Sequence, residues 1–256
     1  MINLLKCEFY KLSRNFALRV VGIITVLFSV LSAALFIFSG NTAGITAIAA
    51  SDAMSLIRFD NQVWLILITV LVCSIIVTEH QRGIIRNLVI SGKSRVEVYI
   101  SKLIVCVLLS FAIIAVSQLL YLTLLGINSG WGSHSLGEYI GHLGLVLIQV
   151  AAFTALVLFI SSLTYSTGAT IGISIALLFV FSLFAALSQM FALFGNQSTA
   201  DIFEFISRLY VGNLFPQVAI YGTASNILLQ HSVVGLITFF AFGGGGLYLF
   251  NKRDMK

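Results

Sequence analysis

Charge is scarce along this chain of 256 residues. Lys and Arg number 14 and Asp and Glu number 9, so charged residues make up 9% of the chain and hydrophobic residues 59%. Soluble domains carry about 25% charged residues, and a core of this size cannot hide so much apolar surface from water. The composition therefore excludes an ordinary soluble domain and indicates a protein with several membrane spans.

Proline and cysteine are scarce as well. Pro216 is the only proline, and the apolar runs are long and unbroken, which favours helices over the alternating strands of a membrane barrel. No CxxC pair or Cys/His cluster is formed by the three distant cysteines, Cys7, Cys73 and Cys106. Neither a disulfide framework nor a zinc site is indicated.

Motifs of intramembrane enzymes are missing from the sequence. There is no HExxH, no GxSxG and no pair of aspartates within a span. His134 and His142 flank Glu138, but without a fourth ligand or close spacing these are better interpreted as ordinary loop residues. We expect no catalytic residue, no metal site and no nucleic-acid partner.

Six apolar runs predict an all-α membrane protein with six transmembrane helices in a single domain, 1–256. A run of about 20 apolar residues satisfies its own backbone hydrogen bonds in lipid only as a helix. The predicted spans cover about 17–38, 63–78, 98–125, 143–163, 168–194 and 233–250.

Basic residues are distributed unevenly around these spans. Twelve of the 14 Lys and Arg residues lie in the N-terminal segment, the connection between spans two and three, and the C-terminal tail. Arg58 and Arg208 alone lie on the opposite side. Because cytoplasmic loops carry the excess of Lys and Arg, we expect both termini and that connection to be cytoplasmic.

The first sixteen residues combine an apolar stripe with positive charge. Leu5, Phe9, Leu12 and Phe16 recur at spacings of 4, 3 and 4, which places them on one helical face. Such a helix, covering 1–16, is expected to lie in the inner membrane interface. A plain cytoplasmic extension of the first span is the alternative.

The connection TEHQRGIIRNLVISGKSRVEVYISK, from Thr78 to Lys102, concentrates seven of the 23 charges. Its order predicts a short amphipathic helix with an apolar face, a stop at Gly92 in the left-handed conformation, and a restart at a Ser94–Glu97 capping box. Lys102 is expected to extend to the headgroups. GKS is no Walker A end, because Asn87 stands where that motif needs glycine.

These residues carry a family resemblance. E-x-x-x-G-x-I-R-N-L-x-x-S-G-x-S-R…K resembles a recurring pattern in permeases of type-2 ABC exporters, most closely the branch for bacitracin and lantibiotic export and immunity. The matching positions are Glu79, Gly83, Ile85, Arg86, Asn87, Leu88, Ser91, Gly92, Ser94, Arg95 and Lys102.

The resemblance implies a cytoplasmic coupling helix, Gly83–Ser91, between spans two and three, and re-entrant outer helices between spans five and six, within about 192–230. Arg82, Arg86, Lys93 and Arg95 would face an ATP-binding subunit, and Glu79 would lie where span and helix meet. The full set expected to couple to that subunit is Glu79, Arg82, Gly83, Ile84, Ile85, Arg86, Asn87, Leu88, Ser91, Gly92, Lys93 and Arg95.

The resemblance also implies the partners. Two ATP-binding subunits and a second permease, identical or homologous, would assemble in the bacterial plasma membrane. ATP and Mg would be bound by those subunits, and this chain would bind no cofactor. The resemblance says little about the cargo, but the apolar spans and the 21 phenylalanines suit a hydrophobic or amphipathic peptide or antimicrobial, moved out of the membrane or cytoplasm.

An ion-coupled secondary transporter is the alternative function. It would place ionisable residues near the bilayer midplane, and none lies deep in a predicted span. Gln118 and Gln149 are mid-span and are expected to form interhelical hydrogen bonds. The small-residue pattern at Gly168 and Gly172 is expected to allow close packing within the chain or against a second permease, with packing within the chain favoured.

Overall fold

The computed structural model describes residues 2–42, 60–129, 136–195, 197–209 and 225–252. Within these ranges the secondary structure is entirely helical. Nine helices are found: α1 Ile2–Ser13, α2 Phe16–Thr42, α3 Asp60–Gln81, α4 Ile84–Ile90, α5 Arg95–Ser129, α6 Leu136–Thr164, α7 Thr167–Leu193, α8 Gln197–Arg208 and α9 Ser225–Lys252.

Six of the nine described helices are long and apolar enough to cross a membrane. They are α2, α3, α5, α6, α7 and α9, and each contains most or all of one predicted span. The all-α architecture is therefore confirmed. The helices extend past the apolar runs; α5 has 35 residues, or about 52 Å at 1.5 Å per residue, more than the hydrocarbon core requires.

The core lies along α3 and α6. Leu65, Ile68 and Leu71 of α3 and Phe153 of α6 have no exposed surface. Large apolar side chains on α2, α7 and α9 face outward instead, as expected for helices that meet lipid rather than water.

Glycines let α9 approach its neighbours closely. A Cβ atom at Gly235 would lie 2.9 Å from the Cγ2 of Ile148, and one at Gly246 would overlap the Tyr99 hydroxyl. Gly168 and Gly172 behave differently, because a Cβ atom at either would meet nothing within 4 Å. The expectation that this pair packs within the chain is therefore wrong, and its face of α7 is open.

The hydrogen bonds of polar residues in α5 and α6 differ from those expected. The Thr154 hydroxyl donates to the Ser110 hydroxyl at 3.2 Å, which joins the two helices. Gln149 is buried, yet neither its amide nitrogen nor its amide oxygen has a hydrogen-bond partner, and the Gln118 oxygen also has none. The hydrogen bonds expected of these two oxygens are not formed, and the described bond between the two helices is made by shorter hydroxyl side chains.

Helix α8 folds back along α7. The ring of Phe203 stacks on Phe191 at 5.4 Å and on Phe184 at 6.0 Å. The chain reverses through Gly195, which has a φ of 76°. This is the described part of the segment expected to hold re-entrant helices; Pro216 lies outside the described residues, as do Arg58 and His134.

Candidate functional site

Glycine residues flank helix α4 at both ends. Gly83 precedes the helix with a φ of 69° and Gly92 follows it with a φ of 89°, conformations that side chains with a Cβ disfavour. The predicted stop at Gly92 is confirmed. Gly83 and Ser91, expected inside the helix, are instead its capping residues, since the chain must turn at Gly83 to leave α3.

Backbone hydrogen bonds close the C-terminal end of α4. The Gly92 amide donates to the Val89 carbonyl at 3.1 Å, and the Lys93 amide donates to the Leu88 carbonyl at 3.3 Å. These are the two bonds of a Schellman motif. The Glu97 amide then donates to the Ser94 hydroxyl at 3.2 Å, the N-cap half of the predicted capping box. The connection is therefore a defined structure rather than a loose loop.

The two faces of α4 differ in chemistry. Ile85 is only 2% exposed, while Ile84 and Leu88 are half-buried, so the predicted apolar face does contact the bundle. The opposite side carries an exposed surface of Arg82, Arg86, Asn87, Ile90, Ser91, Gly92 and Lys93, which we call the α4 outer face. Ile90 is 72% exposed, an apolar residue that the sequence pattern did not distinguish.

Arg95 lies apart from the α4 outer face. Its guanidinium donates to the Asn251 carbonyl near the end of α9 at 3.0 Å. This contact joins the start of α5 to the C-terminal helix, across 156 residues of sequence. In this chain Arg95 therefore has an internal partner, whereas it was expected to face another subunit.

Aromatic stacking holds the last turn of α3. The His80 ring stacks on Tyr165 at 3.8 Å, and the Gln81 amide donates to the Tyr165 carbonyl at 3.2 Å. Tyr165 lies in the short turn between α6 and α7 and has a φ of 50°. Such a conformation persists in a non-glycine residue only where its surroundings fix it, and these contacts anchor the last turn of α3 to the turn between α6 and α7.

A cluster of four charges lies next to this anchor. Lys102 Nζ is 3.1 Å from Glu8 Oε2 and also pairs with Glu79 Oε2. Lys11 Nζ is 3.2 Å from Glu8 Oε1 and 3.5 Å from Glu79 Oε1. The signs alternate around a closed ring, which we call the charge ring. It joins α1, α3 and α5.

The sequence patterns did not indicate the ion pairs of Glu8, Lys11 and Lys102. Lys102 was expected to reach the headgroups, but its side chain is only 4% exposed because two carboxylates hold it inside. A signal existed for Glu8, since Leu4, Glu8 and Leu12 recur every four residues and all are buried. Burial alone lowers the pKa of Lys11, but Glu79 and Glu8 outweigh that effect, so its pKa lies above the ordinary value.

The face that α1 turns toward the bundle is displaced from the predicted stripe. Leu12 is buried and Leu5 half-buried, while Phe9 is 46% exposed. Phe16 belongs to α2, because α1 ends at Ser13, so the four residues do not share one helix. The inward face includes Glu8 because ion pairs with α3 and α5 compensate its burial.

All these features lie at one end of the helical bundle. The charge ring joins α1 to the ends of α3 and α5 that flank α4, and Arg95 joins α5 to the last turn of α9. Among the residues that the structure describes, no cluster of three or more His, Cys, Asp and Glu residues suits a metal ion. The side chains of Glu138 and His142 lie outside that description.

Comparison with protein families decides what kind of membrane protein this is. Residues 4–185 match the family described as ABC-2 family transporter protein. The chain belongs to this family. It is thus an ABC-2 permease, the membrane component of a transporter and not itself a catalytic domain. The match includes most of α1, all of α2 to α6 and most of α7, and hence the charge ring and α4.

Family membership implies a partner, an ABC ATP-binding subunit. The resemblance read from the connection is confirmed at this level, as an ABC-2 permease with several membrane spans. No curated protein matches the chain.

Proposed function

We propose that this permease belongs to an ATP-driven exporter and that α4 is the coupling helix, with its outer face docked on the ATP-binding subunit. The observation that carries the proposal is the geometry of α4, a short helix bounded by glycines and seated by Ile85. Its Arg86 is exposed, as are Arg82 just before it and Lys93 just after it. A rigid element projecting from the bundle transmits movement to the spans more directly than a flexible loop does.

The positive charge of the α4 outer face suits an acidic partner surface. Arg82, Arg86 and Lys93 are exposed around Ile90, so the expected counterpart is an acidic rim around an apolar socket. ATP and Mg would bind in that subunit, and closure of two such subunits would push on α4 and rock the spans.

The proposed orientation in the membrane rests on residues at the same end of the bundle as α4. The N-terminal helix, the ends of α3 and α5 that flank α4, and the end of α9 come together there. Twelve of the 14 Lys and Arg residues belong to the N-terminal segment, the connection between spans two and three, and the C-terminal tail. By the positive-inside rule this end is cytoplasmic in a bacterial plasma membrane. The exposed Phe9 and Tyr10, with Arg14 lying 5.0 Å over the Tyr10 ring, suit an α1 that lies in the inner membrane interface.

The cargo we propose is a hydrophobic or amphipathic peptide or antimicrobial, as in the bacitracin and lantibiotic branch. A second permease, identical or homologous, would complete the pathway, and the open Gly168–Gly172 face of α7 is suited to close helix contact with it. Expression of the transporter should then raise resistance to membrane-active peptides in a sensitive strain. Unchanged resistance across a panel of such peptides would contradict this cargo.

Charge reversal tests the docking of α4. The double variant Arg82→Glu/Arg86→Glu should weaken association with the ATP-binding subunit by at least about tenfold, because like charges then face an acidic surface. Membrane insertion should be unchanged, since both side chains are exposed. The matched control is Lys6→Glu/Arg14→Glu, which changes the net charge equally at two exposed positions, one on α1 and one just after it. Equal loss of association in both double variants, or in neither, would contradict docking through α4.

A further inference from the structure

The charge ring closes the base of the segment that carries α4. Glu79 lies four residues before Gly83, and Lys102 lies on the first turns of α5, after Gly92. Their ion pair therefore joins the two helices from which α4 projects. Glu8 and Lys11 add α1, which lies far away in sequence, to the same point.

Burial makes the charge ring more than a surface contact. The Glu8 and Lys102 side chains are 2% and 4% exposed, and exposed pairs contribute little to geometry whereas a buried charge must keep its partner. Each Glu oxygen meets a different lysine, so no charge in the ring lacks an opposite neighbour. Removal of one member leaves a buried charge without full compensation.

The α1 helix depends on this contact for its position. It has 12 residues, a length at which an isolated helix is marginal in water, and its inward side offers Leu4 and Leu12 around Glu8. The ends of α3 and α5 are in turn fixed relative to each other by Lys102. The chain turns at Gly83 between α3 and α4 and at Gly92 between α4 and α5, so the orientation of α4 depends on how the ends of α3 and α5 are held.

We propose that Glu8, Lys11 and Lys102, together with Glu79, act as positioning residues for the coupling helix, by holding α1, α3 and α5 as one unit at the base of α4. The consequence of this arrangement rests on the proposed function: α4 meets the ATP-binding subunit in one orientation. The N-terminal helix then moves with the coupling segment during the transport cycle.

Hydrogen exchange of the full chain in lipid nanodiscs tests the unit directly. In Lys102→Met, backbone amides of both α1 and α4 should exchange at least tenfold faster than in the natural chain. Glu8→Gln/Lys102→Met should restore protection in α1, because the unpaired carboxylate is removed and Lys11 still pairs with Glu79, but not in α4, because α5 then has no partner in the charge ring. Lys6→Met, an exposed lysine on the same helix, is the matched control and should change neither helix.

The complex with the ATP-binding subunit supplies the second measurement. In Lys102→Met, stimulation of ATP hydrolysis by the permease should fall at least about tenfold, and it should stay low in Glu8→Gln/Lys102→Met, because α5 is then no longer joined to the charge ring. If Lys102→Met fails to insert, Glu8→Gln takes its place, since Lys102 keeps Glu79 as a partner, and it should still speed exchange in both α1 and α4.

Two results would overturn the proposal. Unchanged exchange in α1 would show that the charge ring does not hold this helix. Faster exchange in α1 with unchanged α4 exchange and unchanged ATPase stimulation would show a structural contact only. A natural chain that binds no ATP-binding subunit would instead contradict the proposed function, while the exchange measurements on the permease alone still decide the charge ring.

Discussion

Replacing Gly92 with alanine is expected to loosen α4 without disturbing the rest of the bundle. Gly92 has a φ of 89°, and a Cβ atom there would meet nothing within 4 Å. The cost is therefore backbone strain alone, with no steric overlap. An L-residue in the left-handed region costs about 1–2 kcal/mol.

The net effect is somewhat smaller than the strain. Alanine also restricts the open chain, which returns about 0.4–1 kcal/mol to the folded form. The remaining cost of about 1 kcal/mol corresponds to roughly fivefold more frequent local opening. Helix α4 has seven residues, too few to persist without its caps and the burial of Ile85, so the strain acts on the whole helix.

Hydrogen exchange of the α4 amides measures this opening. Gly92→Ala should speed exchange across Ile84–Ile90 about fivefold, and Gly92→Asn should do so less, because asparagine tolerates the left-handed region. Gly144→Ala is the control, since Gly144 has open space and no positive φ. Equal exchange in Gly92→Ala and Gly144→Ala would refute the role assigned to the left-handed stop.

Two further predictions concern packing inside the membrane. Gly246→Ala should lower the midpoint of thermal unfolding, because the new Cβ overlaps the Tyr99 hydroxyl and overpacking costs about 1–3 kcal/mol. The control Gly244→Ala, where a Cβ meets nothing within 4 Å, should leave the midpoint unchanged. Equal midpoints in the two variants would contradict the close contact of α9 with α5. Gln149→Leu should raise the midpoint or leave it unchanged, since both polar atoms of Gln149 are buried without partners and such atoms cost about 1–3 kcal/mol. A clear fall in the midpoint for Gln149→Leu would show that Gln149 has a polar partner in the membrane.

Much of the fold follows from local patterns in the sequence. Long apolar runs specify the six spanning helices because lipid leaves the backbone no other way to satisfy its hydrogen bonds. The left-handed Gly92 and the Ser94 cap were predictable for the same local reason, since each depends on residues within one turn of the chain.

The charge ring could not be predicted from local patterns, because its members are close in space but far apart in the sequence. Glu8 meets Lys102 across 94 residues, and a lysine near the end of a span reads equally well as a residue that reaches headgroups. The position of Gly83 outside α4 depended on the angle between α3 and α4, which tertiary packing sets. Arg95 was assigned to a partner surface because nothing in its local pattern indicates Asn251.

The cavity beneath α4 shows how the helix is seated. Ile85 lines a cavity of about 20 Å³ together with His80, Tyr99 and Lys102, space for about one water molecule. The seat of α4 is thus nearly filled, so a movement of Ile85 would be passed to α3 and α5 rather than absorbed by empty space.

Photo-crosslinking from α4 tests the central claim most directly. A photoreactive residue at Ile90, which is 72% exposed, should crosslink to the ATP-binding subunit in the assembled transporter. The same photoreactive residue at Leu193 should not crosslink to that subunit. Leu193 is 87% exposed and is the last residue of α7. Efficient crosslinking at Ile90 alone is the result that the account predicts, and its absence at Ile90 in a complex that hydrolyses ATP would contradict docking through α4.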